Sequence, residues 1–196
     1  MKRRGFILIG LLAAAGCSTR GPHVRVAAPM QTETVGLHLI AEPRRGPESV
    51  PYTVLCNVTL HFVNNTRLAL EANGKIVFYA EREGYFYPLR ELQPDGVGTA
   101  PYSMSGTSVT LPRPPKPGAY RIFAVQYPSD ARADDTRRLW RRNLVSNSIF
   151  VEFAELNESD QKAADSVTQG LVDARQYKPD FRKGKRRDPT QRRTGP

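Results

Sequence analysis

The chain has 196 residues and a formal net charge of +10, from 29 Lys and Arg against 19 Asp and Glu. Its length suits one domain with one hydrophobic core. The positive charge lies at the two ends, because residues 1–16 contribute +3 and residues 178–196 contribute +6, which leaves +1 for residues 17–177. A nucleic-acid-binding domain is therefore not indicated, since such a domain carries its basic surplus on the fold itself.

The first 16 residues have the three parts of an export signal. Lys2, Arg3 and Arg4 precede the apolar stretch GFILIGLL, and the small residues from Ala13 to Gly16 follow it. This order is typical of a secretory signal peptide, and the apolar stretch is too short to remain as a membrane-spanning helix. We therefore expect the chain to be exported.

The sequence AAGC at 14–17 resembles the lipobox of bacterial lipoproteins, with Ala14 where leucine is most common. The resemblance implies cleavage before Cys17, whose thiol then carries the lipid. Several acyl chains on one cysteine hold a protein stably at a membrane. Ser18 stands where aspartate would signal inner-membrane retention, so the resemblance implies the outer membrane, facing the periplasm or the cell surface. The alternative is an ordinary signal peptide cut within 13–16, with Cys17 an incidental thiol.

Residues 17–33 are expected to form a lipidated tether between the membrane and a folded domain. They are mixed in character, rich in small residues and without a sustained hydrophobic period. A flexible stretch of this size has a root-mean-square reach of roughly 20 Å, which is enough to lift a domain clear of lipid headgroups.

Residues 34–154 alternate apolar and polar residues with the period of β-strands, between clusters of Pro, Gly and Asn. The alternation predicts strands at 35–42, 52–63, 67–71, 75–82, 85–90, 107–111, 119–127 and 147–153. Seven or eight short strands in about 120 residues predict an all-β domain of the sandwich type.

Cys56 lies in the second of these strands, on the same face as Val58, Leu60 and Phe62. A reactive thiol needs an accessible and electropositive setting, which an apolar strand face does not offer. We therefore predict that Cys56 is a small buried hydrophobic residue.

The stretch PGAYRIFAVQY at 117–127 places Tyr120 at the start of a long strand, just after a Pro-Gly corner. It resembles the tyrosine corner of immunoglobulin-like domains, in which the phenol bonds back to the loop backbone. Together with SNSIFVEF at 146–153, it is similar to the last two strands of immunoglobulin-like and fibronectin-like domains of bacterial surface proteins. The resemblance implies an immunoglobulin-like β-sandwich of seven or eight strands. An antibody-type core is excluded, because Ile122 replaces the second core cysteine and Trp140 lies outside the early strands.

The long connection at 128–145 contains a cationic cluster around the single tryptophan of the chain. Trp140 is flanked by Arg137, Arg138, Arg141 and Arg142. Tryptophan and arginine are enriched at interfaces, so these five residues are candidates for a loop that binds an anionic or aromatic partner. The favoured interpretation is a solvated loop whose tryptophan packs back onto the sandwich.

A helix is predicted within residues 155–176, where the period changes. Asn157 can cap it, and Ala164, Val167, Leu171 and Ala174 recur at helical spacing,. Residues 177–196 form a polar basic tail that we expect to be disordered. Its candidate contacts with an anionic envelope surface are Arg182, Lys183, Lys185, Arg186, Arg187, Arg192 and Arg193,. The alternative is a tail that only solubilises the protein.

The three histidines, His23, His38 and His61, do not have the spacing of a metal site, and the chain has no nucleophile-elbow motif,. We therefore expect no metal, cofactor or catalytic residue. The preferred hypothesis is a membrane-anchored envelope lipoprotein that acts as a non-enzymatic binding or assembly module, with an anionic envelope surface or an envelope protein as its partner. The alternative is a protease inhibitor that uses loop 112–118 or 128–145 as a substrate mimic.

Overall fold

The computed structural model describes residues 35–41, 56–72, 74–93, 97–129 and 143–191. The strands in these ranges are β1 (Val35–Ala41), β2 (Cys56–Asn64), β3 (Leu70–Ala72), β4 (Lys75–Arg82), β5 (Tyr85–Leu92), β6 (Val97–Thr99), β7 (Ser103–Leu111), β8 (Gly118–Tyr127), β9 (Leu144–Val145) and β10 (Ile149–Phe153). Helix α1 (Glu158–Asp173) and a 3₁₀ turn (Pro179–Arg182) follow. No helix in the described ranges is both long and apolar enough to cross a membrane.

The strands form antiparallel sheets. One sheet has the order β1-β2-β7, and a second has the order β10-β8-β4-β5 with β9 paired to β8. Strands β3 and β6 form a separate pair. Alternation of side chains decides which face is buried: Val35, Leu37 and Leu39 of β1 are buried, whereas the residues between them are more exposed,.

Both large sheets contribute to one hydrophobic core. Leu39 and Val58 come from the first sheet, and Phe78, Ile122 and Phe153 come from the second. A sheet with one apolar face is stable only when that face is covered, and here each sheet covers the other. This packing confirms the predicted β-rich domain.

Polar contacts also join the two sheets. The side-chain amide of Asn147, just before β10, accepts a hydrogen bond from Leu39 N at 2.7 Å and donates one to Leu39 O at 2.9 Å. One side chain therefore satisfies both backbone groups at the free edge of β1. Arg90 of β5 donates to Thr110 O of β7 at 2.7 Å and ties the opposite edge.

All eight predicted strands are present, with two additions and some shifted bounds. Strand β3 begins at Leu70 rather than 67, because the Asn64 side chain holds the backbone of Thr66 and Leu68 in a turn, and β10 begins at Ile149 rather than 147. The short strands β6 and β9 were not predicted, because two or three residues such as VGT and LV carry too little pattern. Strand β7 begins at Ser103 rather than 107 because its first residues, Ser-Met-Ser-Gly, are held by pairing with β2 and not by their own β-propensity,.

Helix α1 lies inside the predicted range of 155–176, and its predicted cap is confirmed. Asn157 Oδ1 accepts from Asp160 N at 2.8 Å. Of the predicted apolar stripe, Ala164 and Leu171 are buried, but Ala174 is exposed and lies beyond the end of the helix. The helix buries only this narrow stripe, in agreement with its low apolar content.

The prediction of a disordered tail is wrong for residues 177–191. These residues pack against β5, and we refer to residues 176–191 as the C-terminal strap. Their own composition is too polar to form a core, but β5 is the edge strand of its sheet and offers unpaired backbone groups,. Residues 192–196 lie outside the described ranges, as do the predicted signal peptide and tether.

Candidate functional site

The strap continues the second sheet at the free edge of β5. Phe86 N donates to Lys185 O at 2.8 Å, and Lys185 N donates to Phe86 O at 2.9 Å. Farther along β5, Glu91 N donates to Gln176 O at 2.8 Å. The strap thus covers an edge that would otherwise be a template for pairing with another chain.

Side chains fix the strap at both ends. The guanidinium of Arg90 donates to Gln176 Oε1, while Tyr177 is buried and packs edge-to-face on Phe181 with 6.3 Å between ring centroids. At the other end, Arg186 lies over the ring of Tyr85 at 5.2 Å and donates to its hydroxyl at 2.8 Å. These contacts position the basic residues of the strap.

The outer face of the second sheet is apolar, and the strap crosses it. Phe86, Phe123 and Val125 form a second buried cluster, with Tyr79 and Tyr127 packed against it. The sequence contained a signal for this cluster, because residues 122–125 of β8, Ile-Phe-Ala-Val, are consecutive apolar residues and therefore occupy both faces of the strand. A strand that is apolar on both faces indicates that both faces are covered.

A pocket of about 670 Å³ lies between this face and the strap. Its floor is apolar and includes Val77, Tyr79, Phe86, Pro88 and Tyr127, and Phe181 of the strap forms part of its wall. Its polar lining consists of Lys75, Glu91, Asn143, Lys185, Arg187, Asp188 and Gln191, and Pro189 of the strap also lines it. We call this site the strap pocket.

A chain of hydroxyl groups connects the floor to the strap. Tyr79 Oη and Tyr127 Oη are 3.1 Å apart, and Tyr127 donates to Pro189 O at 3.2 Å. Burial, together with the neighbouring hydroxyl of Tyr127, raises the pKa of Tyr79 well above its usual range. Burial also raises the pKa of Tyr127, although its hydrogen bond with Tyr79 opposes the shift. Both phenols are therefore neutral in ordinary buffers.

The charges of the strap pocket are unevenly matched. Glu91 forms an ion pair with Lys75 at 3.3 Å, and Asp188 Oδ1 accepts from the backbone and hydroxyl of Thr190 at 2.8 and 2.7 Å. Lys185 and Arg187 form no ion pair with any residue that the structure describes. The pocket therefore presents two cations above an aromatic floor.

The predicted tail cations differ in their surroundings. Lys185 and Arg187 line the strap pocket, and Arg186 stacks on Tyr85. Arg182 and Lys183 are exposed on or just after the 3₁₀ turn. Arg192 and Arg193 lie outside the described ranges, as do Cys17 and the predicted binding-loop residues Arg137, Arg138, Trp140, Arg141 and Arg142.

Two predicted structural residues have the expected environments. Cys56 is fully buried, and burial raises the pKa of its thiol to about 12, so the thiolate needed for reactivity does not form near neutral pH,. Tyr120 is buried, and its hydroxyl donates to Lys116 O at 2.9 Å, which is the predicted corner bond. Gly118 at this corner has a φ of +131°, where a side chain would be strained,.

The structure brings together His38 and His61, which the sequence places on separate strands. They are direct partners in the β1–β2 pair. His61 Nδ1 is buried without a hydrogen-bond partner among the described residues, and a Cβ at Gly106 would lie 2.6 Å from it. No group of three His, Cys, Asp or Glu in the described ranges could hold a metal ion.

Loop 112–118, one of the two loops named for the protease-inhibitor alternative, is braced at its base. Besides the bond from Tyr120, Pro117 O accepts from Arg82 Nη1 at 2.6 Å, and Arg113 donates to Ala154 O. Pro115, Lys116 and Pro117 are exposed. The second loop of that alternative is described only at its ends.

Comparisons with the profiles of known protein families, with curated protein sequences and with solved structures found no match.

Proposed function

We propose that this protein is an envelope lipoprotein, anchored through Cys17, that acts as a non-enzymatic binding module. The anchoring half of the proposal is supported by the basic, apolar and small-residue segments that precede Cys17,. The binding half is carried by the strap pocket, which combines an aromatic floor with two cations that lack an acidic partner among the described residues. Aromatic floors with a few convergent polar groups are typical of ligand sites.

We further propose that the domain is an immunoglobulin-like β-sandwich. In support, the strands of each sheet are arranged as in immunoglobulin domains. The sheet β1-β2-β7 corresponds to strands A, B and E, and the sheet β10-β8-β4-β5 corresponds to strands G, F, C and C′. The corner tyrosine then lies at the start of strand F, where immunoglobulin domains have it,. Cys56 lies on the B strand and Ile122 on the F strand, so only one of the two usual core cysteines is present.

Membrane fractionation and intact-mass analysis test the anchoring proposal. The full chain is expressed beside a Cys17→Ser variant in a bacterium with an outer membrane. We expect a lipid mass on a chain that begins at Cys17 and a membrane location that the variant loses. A soluble, unlipidated product from the unsubstituted chain would overturn the anchoring proposal.

The protease-inhibitor alternative is favoured by the braced base of loop 112–118, since a held loop loses little conformational entropy on binding,. Titration of a panel of serine, cysteine and metallo-proteases separates the two functions. Stoichiometric inhibition that is lost in Lys116→Ala would favour the inhibitor, whereas full protease activity at excess protein favours the binding module.

A further inference from the structure

Lys185 and Arg187 point to the charge of the ligand in the strap pocket. The lining holds three cations, Lys75, Lys185 and Arg187, against the two acids Glu91 and Asp188, so its net charge is +1. Lys75 and Glu91 form an ion pair, whereas Lys185 and Arg187 have no acidic partner among the described residues. A bound cation would be repelled by this pair. A bound anion would be attracted to both cations, because an ammonium and a guanidinium both donate strong hydrogen bonds to carboxylate, sulfonate or phosphate oxygens.

The floor points to the body of the ligand. Val77, Phe86 and Pro88 are buried, and the rings of Tyr79 and Tyr127 are half-buried with their hydroxyl groups turned to each other. An inorganic anion would leave this apolar area in contact with water. The volume of about 670 Å³ lies within the range of pockets that hold organic ligands,.

We propose that the strap pocket binds an amphiphilic organic anion, with its apolar body on the floor at Val77, Tyr79 and Phe86 and its anionic group toward Lys185 and Arg187. This inference rests on the proposed function of a binding module and assigns a ligand class to it. Asn143 and Gln191 at the rim supply further hydrogen-bonding groups.

The experiment compares two probes that differ in charge. The dye 8-anilinonaphthalene-1-sulfonate has an aromatic body and a sulfonate, and N-phenyl-1-naphthylamine has the same body without the charge. Both are titrated by fluorescence into the full chain carrying Cys17→Ser, which has no lipid to compete. We expect saturable binding of one sulfonate dye per chain and a midpoint of thermal unfolding that rises with dye concentration. A falling midpoint would mean dye bound to partly unfolded chain and would overturn the proposal.

Substitutions then separate the anionic group from the apolar body. In the double variant Lys185→Gln and Arg187→Gln, we expect the affinity for the sulfonate dye to fall about tenfold and that for the neutral probe to change less than about twofold. Phe181→Ala removes part of the apolar wall and weakens both probes. Lys183→Gln is the matched control, since Lys183 is exposed and outside the pocket. An equal loss per charge in this control would show general charge attraction and overturn the proposal.

Competition identifies the source of the anion. Displacement of the dye by soluble 1-naphthoate supports a small molecule, and displacement only by phosphatidylglycerol vesicles supports a lipid as the ligand. Displacement by neither overturns the proposal. The outcome for the ligand is independent of the outcome for anchoring. If the unsubstituted chain is lipidated but the protein binds no dye, only the ligand proposal is overturned. If the protein binds the dye but the unsubstituted chain is not lipidated, only the anchoring proposal is overturned.

Discussion

Gly184 lies against Tyr85 and Tyr87 of β5, so replacing it with alanine tests how the strap is held. A Cβ at this position would lie 2.7 Å from two ring atoms of Tyr87 and 3.1 Å from Tyr85 Cβ. The ring of Tyr87 cannot easily withdraw, because it packs edge-to-face on Tyr120 at 6.1 Å. Since carbon atoms prefer separations of about 3.5–4.0 Å, the strap itself must move by about 1 Å.

That movement breaks the two hydrogen bonds between Phe86 and Lys185. Each contributes about 0.5–1.5 kcal/mol, so the strap loses about 1–3 kcal/mol of docking free energy. We expect amide hydrogen exchange at Phe86 and Lys185 to accelerate by about one to two orders of magnitude in Gly184→Ala. Exchange in β8 is unchanged, because that strand is paired on both sides within the sheet.

Gly170→Ala is the matched control for this experiment. Gly170 is exposed in α1, and a Cβ there meets no atom within 4 Å. The substitution stabilises the helix by roughly 0.5–1 kcal/mol and leaves strap exchange unchanged. Unchanged exchange at Phe86 and Lys185 in Gly184→Ala, or an equal change in the control, would refute the proposed crowding.

Three further predictions concern the stability of the domain, measured by urea unfolding. Tyr120→Phe removes the corner hydrogen bond and lowers the free energy of unfolding by about 1–2 kcal/mol,. The control is Tyr102→Phe, at a residue that is 65% exposed, which changes this free energy by less than about 0.5 kcal/mol,. Asn147→Ala leaves an amide and a carbonyl of β1 unpaired and lowers the free energy of unfolding by about 2–4 kcal/mol,. The control is Asn57→Ala, which removes one exposed hydrogen bond. A loss in Asn147→Ala no larger than in this control would contradict the bridge to Leu39. Burial raises the pKa of the Cys56 thiol from 9.0 to about 12. The unfolded chain therefore loses the thiol proton at a lower pH than the folded chain. The free energy of unfolding falls as pH rises between these two values, by at most about 1.4 kcal/mol per pH unit. Cys56→Val removes this contribution, and an unchanged difference between the two proteins from pH 8 to 11 would refute it.

The sequence by itself determined eight of the ten described strands, the corner and the helix cap. These features depend on neighbours close in the chain: alternation along a strand, a Pro-Gly turn before Tyr120, and Asn157 three residues before its hydrogen-bond donor,. The burial of Cys56 could also be predicted, because its strand places it among apolar residues of the same face.

Only the tertiary structure decided what the tail does. Nothing in the local sequence of Lys185 or Arg187 indicates that they line a pocket, since the strap is ordered by the unpaired edge of β5, about 100 residues earlier in the chain. The pairing of His38 with His61 and the bridge from Asn147 to Leu39 likewise depend on residues distant in sequence. Alternation along a strand tells which residues share a face, but sheet order and register decide which faces meet, and here they placed two cations of a polar tail above an aromatic floor.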